Sequence, residues 1–163
     1  MWTFKSISLT VIVLFFSVQN LNAQELKKVT FEELPTLQAQ ENRPVLVFLT
    51  ADWCMYCKRV KHTAFEQNDI IASLNKDFYF IEFDGESKKP VTFLGQVYEY
   101  KPTGPNTGTH ELAALLATEN GELSYPTFLI LNAKFELLYR YAGYMKTSEI
   151  RELLTLVKKH EVQ

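Results

Sequence analysis

The chain has 163 residues, of which 47% are hydrophobic and 13% aromatic, enough for one globular domain with a sizeable core. Its formal charge is −2, from 17 basic and 19 acidic side chains. Nucleic acid and anionic membrane surfaces select for clustered Lys and Arg, so this balance argues against either as a partner.

Residues 1–23 read as a secretory signal peptide, which leaves 24–163 as the folded domain. Lys5 gives a weakly positive start, Ile7 to Val18 is an apolar run broken only by hydroxyls, and Leu21-Asn22-Ala23 places a small residue before a cut at Gln24. The apolar run is well short of the roughly 20 residues that a spanning helix needs, which makes an uncleaved anchor the lesser alternative. A periplasmic or secreted location is therefore expected. Thr30 to Glu41 has helical composition interrupted by Pro35. Val45 to Thr50, apolar and rich in β-branched residues, fits a strand buried on both faces. The pattern turns helical from Cys54 to Phe65. Asn68-Asp69 can cap a further helix from Ile70 to Lys76, and Phe78 to Phe83 forms a second strand.

Residues 85–109 differ in character. They contain Pro90, Gly95, Pro102, Gly104, Pro105 and Gly108 around Tyr98 and Tyr100, and read as a long insertion with a short hairpin at Gly95. His110 to Thr118 is a short helix. Tyr125 to Leu131 is a strand with Pro126 near its start, and Phe135 to Tyr141 is its antiparallel partner. Gly143 ends that strand, and Thr147 or Ser148 caps a last helix reaching about Lys159. This order predicts an α/β fold with a central mixed β-sheet flanked by helices on both faces, its parallel strands joined by right-handed crossovers.

The chain has two cysteines, Cys54 and Cys57. A bridge between them would close a very small loop and restrain little of the unfolded chain, so a structural staple explains them poorly. Redox exchange explains them better. Cys54 leaves a buried strand and opens a helix, where orphan N–H groups and the helix dipole favour its thiolate. Cys57, one turn on, shares an arc with Val60 and Ala64 and should face the core. The reading is therefore an exposed attacking Cys54 and a buried resolving Cys57. A metal site is not expected, because His62 would lie about 12 Å along the helix from Cys54 at ~1.5 Å per residue.

In this context the chain resembles the thioredoxin superfamily, in Phe48 to Val60 (FLTADWCMYCKRV) and Ser124 to Leu131 (SYPTFLIL). The resemblance implies a thioredoxin-like fold, with the long insertion placed before a cis-Pro strand. It implies that Pro126 is cis and packs against the cysteine pair, and that Tyr125 pairs its backbone with an extended substrate. Trp53 and Gly143 complete the implied substrate-binding set. It also implies protein thiols or disulfides as substrates, no bound cofactor, and a dithiol electron-transfer partner, a membrane-bound one among the candidates. A monomer is expected. One departure stands out. Reductases of the superfamily often carry a buried acid six positions before the first cysteine, and this chain has Phe48 there. Glu82 is the nearest substitute proton acceptor, with an exposed strand residue as the alternative. The expected activity is protein-disulfide reduction or isomerisation. A binding or chaperone module with a redox-sensing pair, and a thiol peroxidase, are the rivals.

Overall fold

A computed structural model describes residues 24–161, so the expected signal segment lies outside the described residues. The central sheet has four strands. β1 (Val45–Thr50) pairs in parallel with β2 (Tyr79–Asp84) and antiparallel with β7 (Thr127–Leu131), and β7 pairs antiparallel with β8 (Leu137–Ala142). The order across the sheet is β2-β1-β7-β8. Every residue of β1 and β7 is buried, as their unbroken apolar runs require.

Because side chains alternate across a strand, the two middle strands feed two cores. On one face Leu46, Phe48, Phe80, Phe128 and Ile130 pack beneath three helices: α2 (Met55–Thr63), α3 (Asn68–Asp77) and α5 (Thr147–Glu161). On the other, Val45, Val47, Leu49, Leu129 and Leu131 meet α1 (Leu34–Gln40) and α4 (Glu111–Ala117), together with Phe31. The mixed sheet covered on both faces is as expected.

Helix boundaries differ from the sequence reading in three places. Pro35 stands in the first turn of α1, where its missing N–H costs no hydrogen bond, so it starts the helix instead of interrupting it. Gln67, not Asn68, is the N-cap of α3, and its carbonyl accepts the Ile71 N–H at 2.9 Å. At α5 the cap is at Lys146, whose N–H donates to the Glu149 carboxylate at 2.6 Å, while its carbonyl accepts the Ile150 N–H at 3.0 Å. Thr147 instead donates its hydroxyl to the Thr63 carbonyl at 3.3 Å and ties α5 to the end of α2.

The insertion is more ordered than its composition suggested. It forms two hairpins, β3 (Val91–Phe93) with β4 (Gln96–Tyr98), and β5 (Tyr100–Gly104) with β6 (Thr107–His110). The first turns at Leu94-Gly95, both at positive φ, as a two-residue primed turn demands. Phe93 anchors it in the second core, with its ring centroid 5.2 Å from Phe31 and 5.3 Å from Phe135. The two ends of the insertion meet: the Gly85 N–H donates to Thr50 at 2.9 Å, and the Gly85 carbonyl accepts the His110 N–H at 2.8 Å. His110 is fully buried and caps α4, with Nδ1 accepting the Leu112 N–H at 3.2 Å and Nε2 lying 3.1 Å from the Lys89 carbonyl.

Candidate functional site

β1 delivers the chain to the edge of the sheet, and a short turn hands it to α2. The Cys54 N–H closes that turn on the Ala51 carbonyl at 3.0 Å. Cys54 has extended backbone angles and is the N-cap of α2, and its Sγ accepts the Cys57 N–H at 3.0 Å. The sulfur thus takes the place an oxygen cap occupies in other helices, satisfying one of the donors left over at a helix start. The same N–H stabilises a thiolate at this sulfur. The two cysteines are joined as a disulfide, sulfur to sulfur 2.03 Å.

Cys57, Val60 and Ala64 are all fully buried on one face of the helix, as their spacing predicts. Cys54 departs from expectation: it is only 3% exposed, against 0% for Cys57. The order of exposure is as expected, but the first sulfur is not open. Its neighbours take the solvent instead, Trp53, Met55 and Tyr56 being 64%, 72% and 61% exposed. Tyr144 extends this apolar apron, its ring 5.9 Å from Tyr56 and capped by the Arg59 guanidinium at 5.5 Å.

The resemblance grouped Trp53, Tyr125, Pro126 and Gly143, and contacts link them in pairs. Trp53 meets the edge of Tyr125 at 5.8 Å and donates its indole N–H to Glu86 at 3.0 Å. The Tyr125-Pro126 bond is cis. Sheet pairing of β7 begins at Thr127, so Tyr125 lies beyond the last paired residue. Gly143 donates its N–H to the Pro126 carbonyl at 2.8 Å from a φ of +127°, a conformation that favours glycine. The Tyr125 hydroxyl is buried with no hydrogen-bond partner among the described residues. Burial, helped by Glu86 and Asp84, raises its pKa well above the usual phenol range.

Phe48 occupies the position of the absent acid. It is fully buried, with its ring 5.0 Å from Phe65 and 5.2 Å from Phe128. Glu82, its register partner on β2, is bridged by both Lys28 and Lys61. Burial alone would raise the Glu82 pKa; the two lysines outweigh it and hold the carboxylate below its ordinary value. Lys61 is therefore tied to the sheet. Asp84 closes β2, half-buried, and accepts the Glu86 N–H at 3.0 Å. Burial raises its pKa, as do the charges of Asp52 and Glu86, and together they outweigh the Glu86 N–H and Lys61, which lower it. His62 pairs with Glu66 at 2.8 Å and is 75% exposed, away from the sulfurs. Sequence reasoning singled out neither Asp84, Gly85 and Glu86 nor Tyr144. The run Asp-Gly-Glu directly after a strand was the available signal for the first three.

The family model described as thioredoxin-like domain matches residues 31–158. No curated protein matches the chain. Among solved structures, it is similar to the oxidoreductase DsbH at 16% identity, covering 88% of this chain and 92% of that one with a TM-score of 0.59. A thioredoxin from Thermus thermophilus aligns at 22% identity over 82% of this chain and 88% of its own, TM-score 0.57. A putative disulphide-isomerase from Bacteroides thetaiotaomicron aligns at 21% over 84% and 96%, also at 0.57.

Proposed function

Since the chain belongs to the thioredoxin-like domain family, we propose that it is an extracytoplasmic thiol–disulfide oxidoreductase working in the reductase or isomerase direction. The observation that carries this reading is the Cys54 sulfur at the helix cap, accepting the Cys57 N–H at 3.0 Å within a closed Cys54–Cys57 disulfide. In the reduced protein, the Cys54 thiolate attacks one sulfur of a substrate disulfide and releases the other as a thiolate. The Cys57 thiolate then attacks Cys54, breaks the mixed disulfide and releases the second substrate thiolate. Two electrons pass from the cysteine pair to the substrate. The exchange needs no bound cofactor. A dithiol partner, in solution or in a membrane, returns the pair to its reduced form.

Tyr125, unpaired beyond the end of β7, suits an extended substrate strand laid beside the sulfurs, and Trp53, Pro126 and Gly143 would frame it. The signal-like residues 1–23 support export to the periplasm or beyond. Met55-Tyr56 between the cysteines supplies no cation, which favours a reducing to intermediate potential.

The test is disulfide reduction by single-cysteine variants. Cys54→Ser abolishes turnover, while Cys57→Ser traps mixed disulfides with substrate; wild-type turnover in both would refute the mechanism. The potential of the pair reads direction, near about −270 mV for a reductase and near about −120 mV for an oxidant.

A further inference from the structure

Resolution requires Cys57 to lose a proton inside the core, and Phe48 cannot take it. We propose that Asp84 is the proton acceptor for Cys57, a role that deepens the exchange reading above and rests on it.

The Lys61–Glu82 ion pair fixes how α2 lies over β2. β2 runs parallel to β1, and α2 folds back over the sheet through a short turn after β1, so helix and strand run in opposite senses. Cys57 is four residues before Lys61, about 6 Å toward the start of α2 at ~1.5 Å per residue. Asp84 is two residues after Glu82, about 6.6 Å toward the end of β2 at ~3.3 Å per residue, and on the same face. The two steps match in length and direction. Cys57 and Asp84 form the next rung above the ion pair.

The chemistry of the two acids separates them. Glu82 holds two lysines, and a carboxylate so neutralised is a weak base. Asp84 has no cation within ion-pair distance among the described residues. The charged groups around it are Asp52 on the active-site turn, Glu86 on the insertion and Lys61 on α2, with Tyr125 and His110 also within its field. Burial first, then the charges of Asp52 and Glu86, outweigh the Glu86 N–H and Lys61, so its affinity for a proton is raised above that of an ordinary aspartate. In the step, the Cys57 Sγ–H bond breaks and the proton passes to the Asp84 carboxylate. The Cys57 thiolate then forms the bond to Cys54 and expels the substrate thiolate, and Asp84 returns its proton to solvent.

The experiment follows the decay of a preformed mixed disulfide on Cys54 as a function of pH, in wild type, Asp84→Asn and Glu82→Gln. Asparagine keeps the oxygen that accepts the Glu86 N–H, so the turn is retained. Asp84→Asn should slow decay at least tenfold at neutral pH and shift its pH profile toward alkaline values, with alkylation of Cys54 in the reduced protein unchanged in rate. Asp84→Glu should recover part of the loss. A wild-type profile in Asp84→Asn, or the full loss in Glu82→Gln alone, would overturn the assignment. If the wild type itself formed no mixed disulfide, the exchange reading would fail instead.

Discussion

A methyl group on Gly85 would lie 2.3 Å from the Tyr125 hydroxyl and 2.6 Å from its ring, closer than any side chain tolerates. Gly85→Ala must therefore push Tyr125 aside, and Trp53, packed on its edge, moves with it. A loss of about 1–3 kcal/mol in denaturant melts is expected, as for other overpacked sites. Trp53 is the only tryptophan after residue 2, so its emission reports the displacement directly. The Tyr125 hydroxyl, buried with no partner among the described residues, makes an opposite prediction. A buried polar group without a partner costs about 1–3 kcal/mol, so Tyr125→Phe should leave stability unchanged or raise it, as read by the denaturation midpoint. Both residues bear on what was legible at this scale. The inward arc of Cys57, Val60 and Ala64 follows from helical periodicity alone. Asp84 and Gly85 do not, because their environment is made by residues from β1, α2 and β7 that only the fold assembles.

Among the elements, strands with continuous apolar runs declared themselves: β1 stands where the sequence placed it, and β7 starts at Thr127, two residues later than read, just past the cis Tyr125-Pro126 bond. The β5–β6 hairpin did not, because its Thr, Gly, Pro and Asn carry no apolar alternation; the two residues that β6 buries are Gly108 and His110. Helix starts were misplaced where a backbone carbonyl or a residue outside the usual capping set served, as at Gln67 and Lys146. α4 gives a pH prediction. Its cap uses Nδ1 of His110 as acceptor while Nε2 faces a carbonyl, an arrangement only the neutral ring with its proton on Nε2 satisfies. Burial lowers the His110 pKa below the usual 6.5, outweighing the nearby Lys89 carbonyl and the acids Glu111, Asp84 and Glu32. The unfolded chain then binds the proton more readily than the folded one. This contribution is constant above about 6.5 and falls as pH drops from there toward the folded-state value. His110→Asn, which keeps a capping acceptor, should flatten that acid-side slope in stability measured against pH.

At the scale of the molecule, β7 stands between two cores, and Tyr125, just beyond its end, packs against both. Leu129 and Ile130, adjacent in sequence and both fully buried, face opposite sides. Leu129→Ala and Ile130→Ala should each cost about 2–5 kcal/mol, and urea unfolding should remain a single transition in both. Two separated transitions would mean that the halves fold independently. The α/β class and the mixed sheet were readable from the order of elements, since strands so apolar need cover on both faces. The closing of the insertion was not, because no local pattern reports that Gly85 and His110 meet. That closure divides the insertion by function. Glu86, at its start, belongs to the site, because it accepts the Trp53 indole N–H and donates its own N–H to Asp84. The β3–β4 hairpin beyond it is a cassette held in the second core by Phe93, and trimming its tip at Leu94-Gly95 should leave the sheet that carries the sulfurs intact.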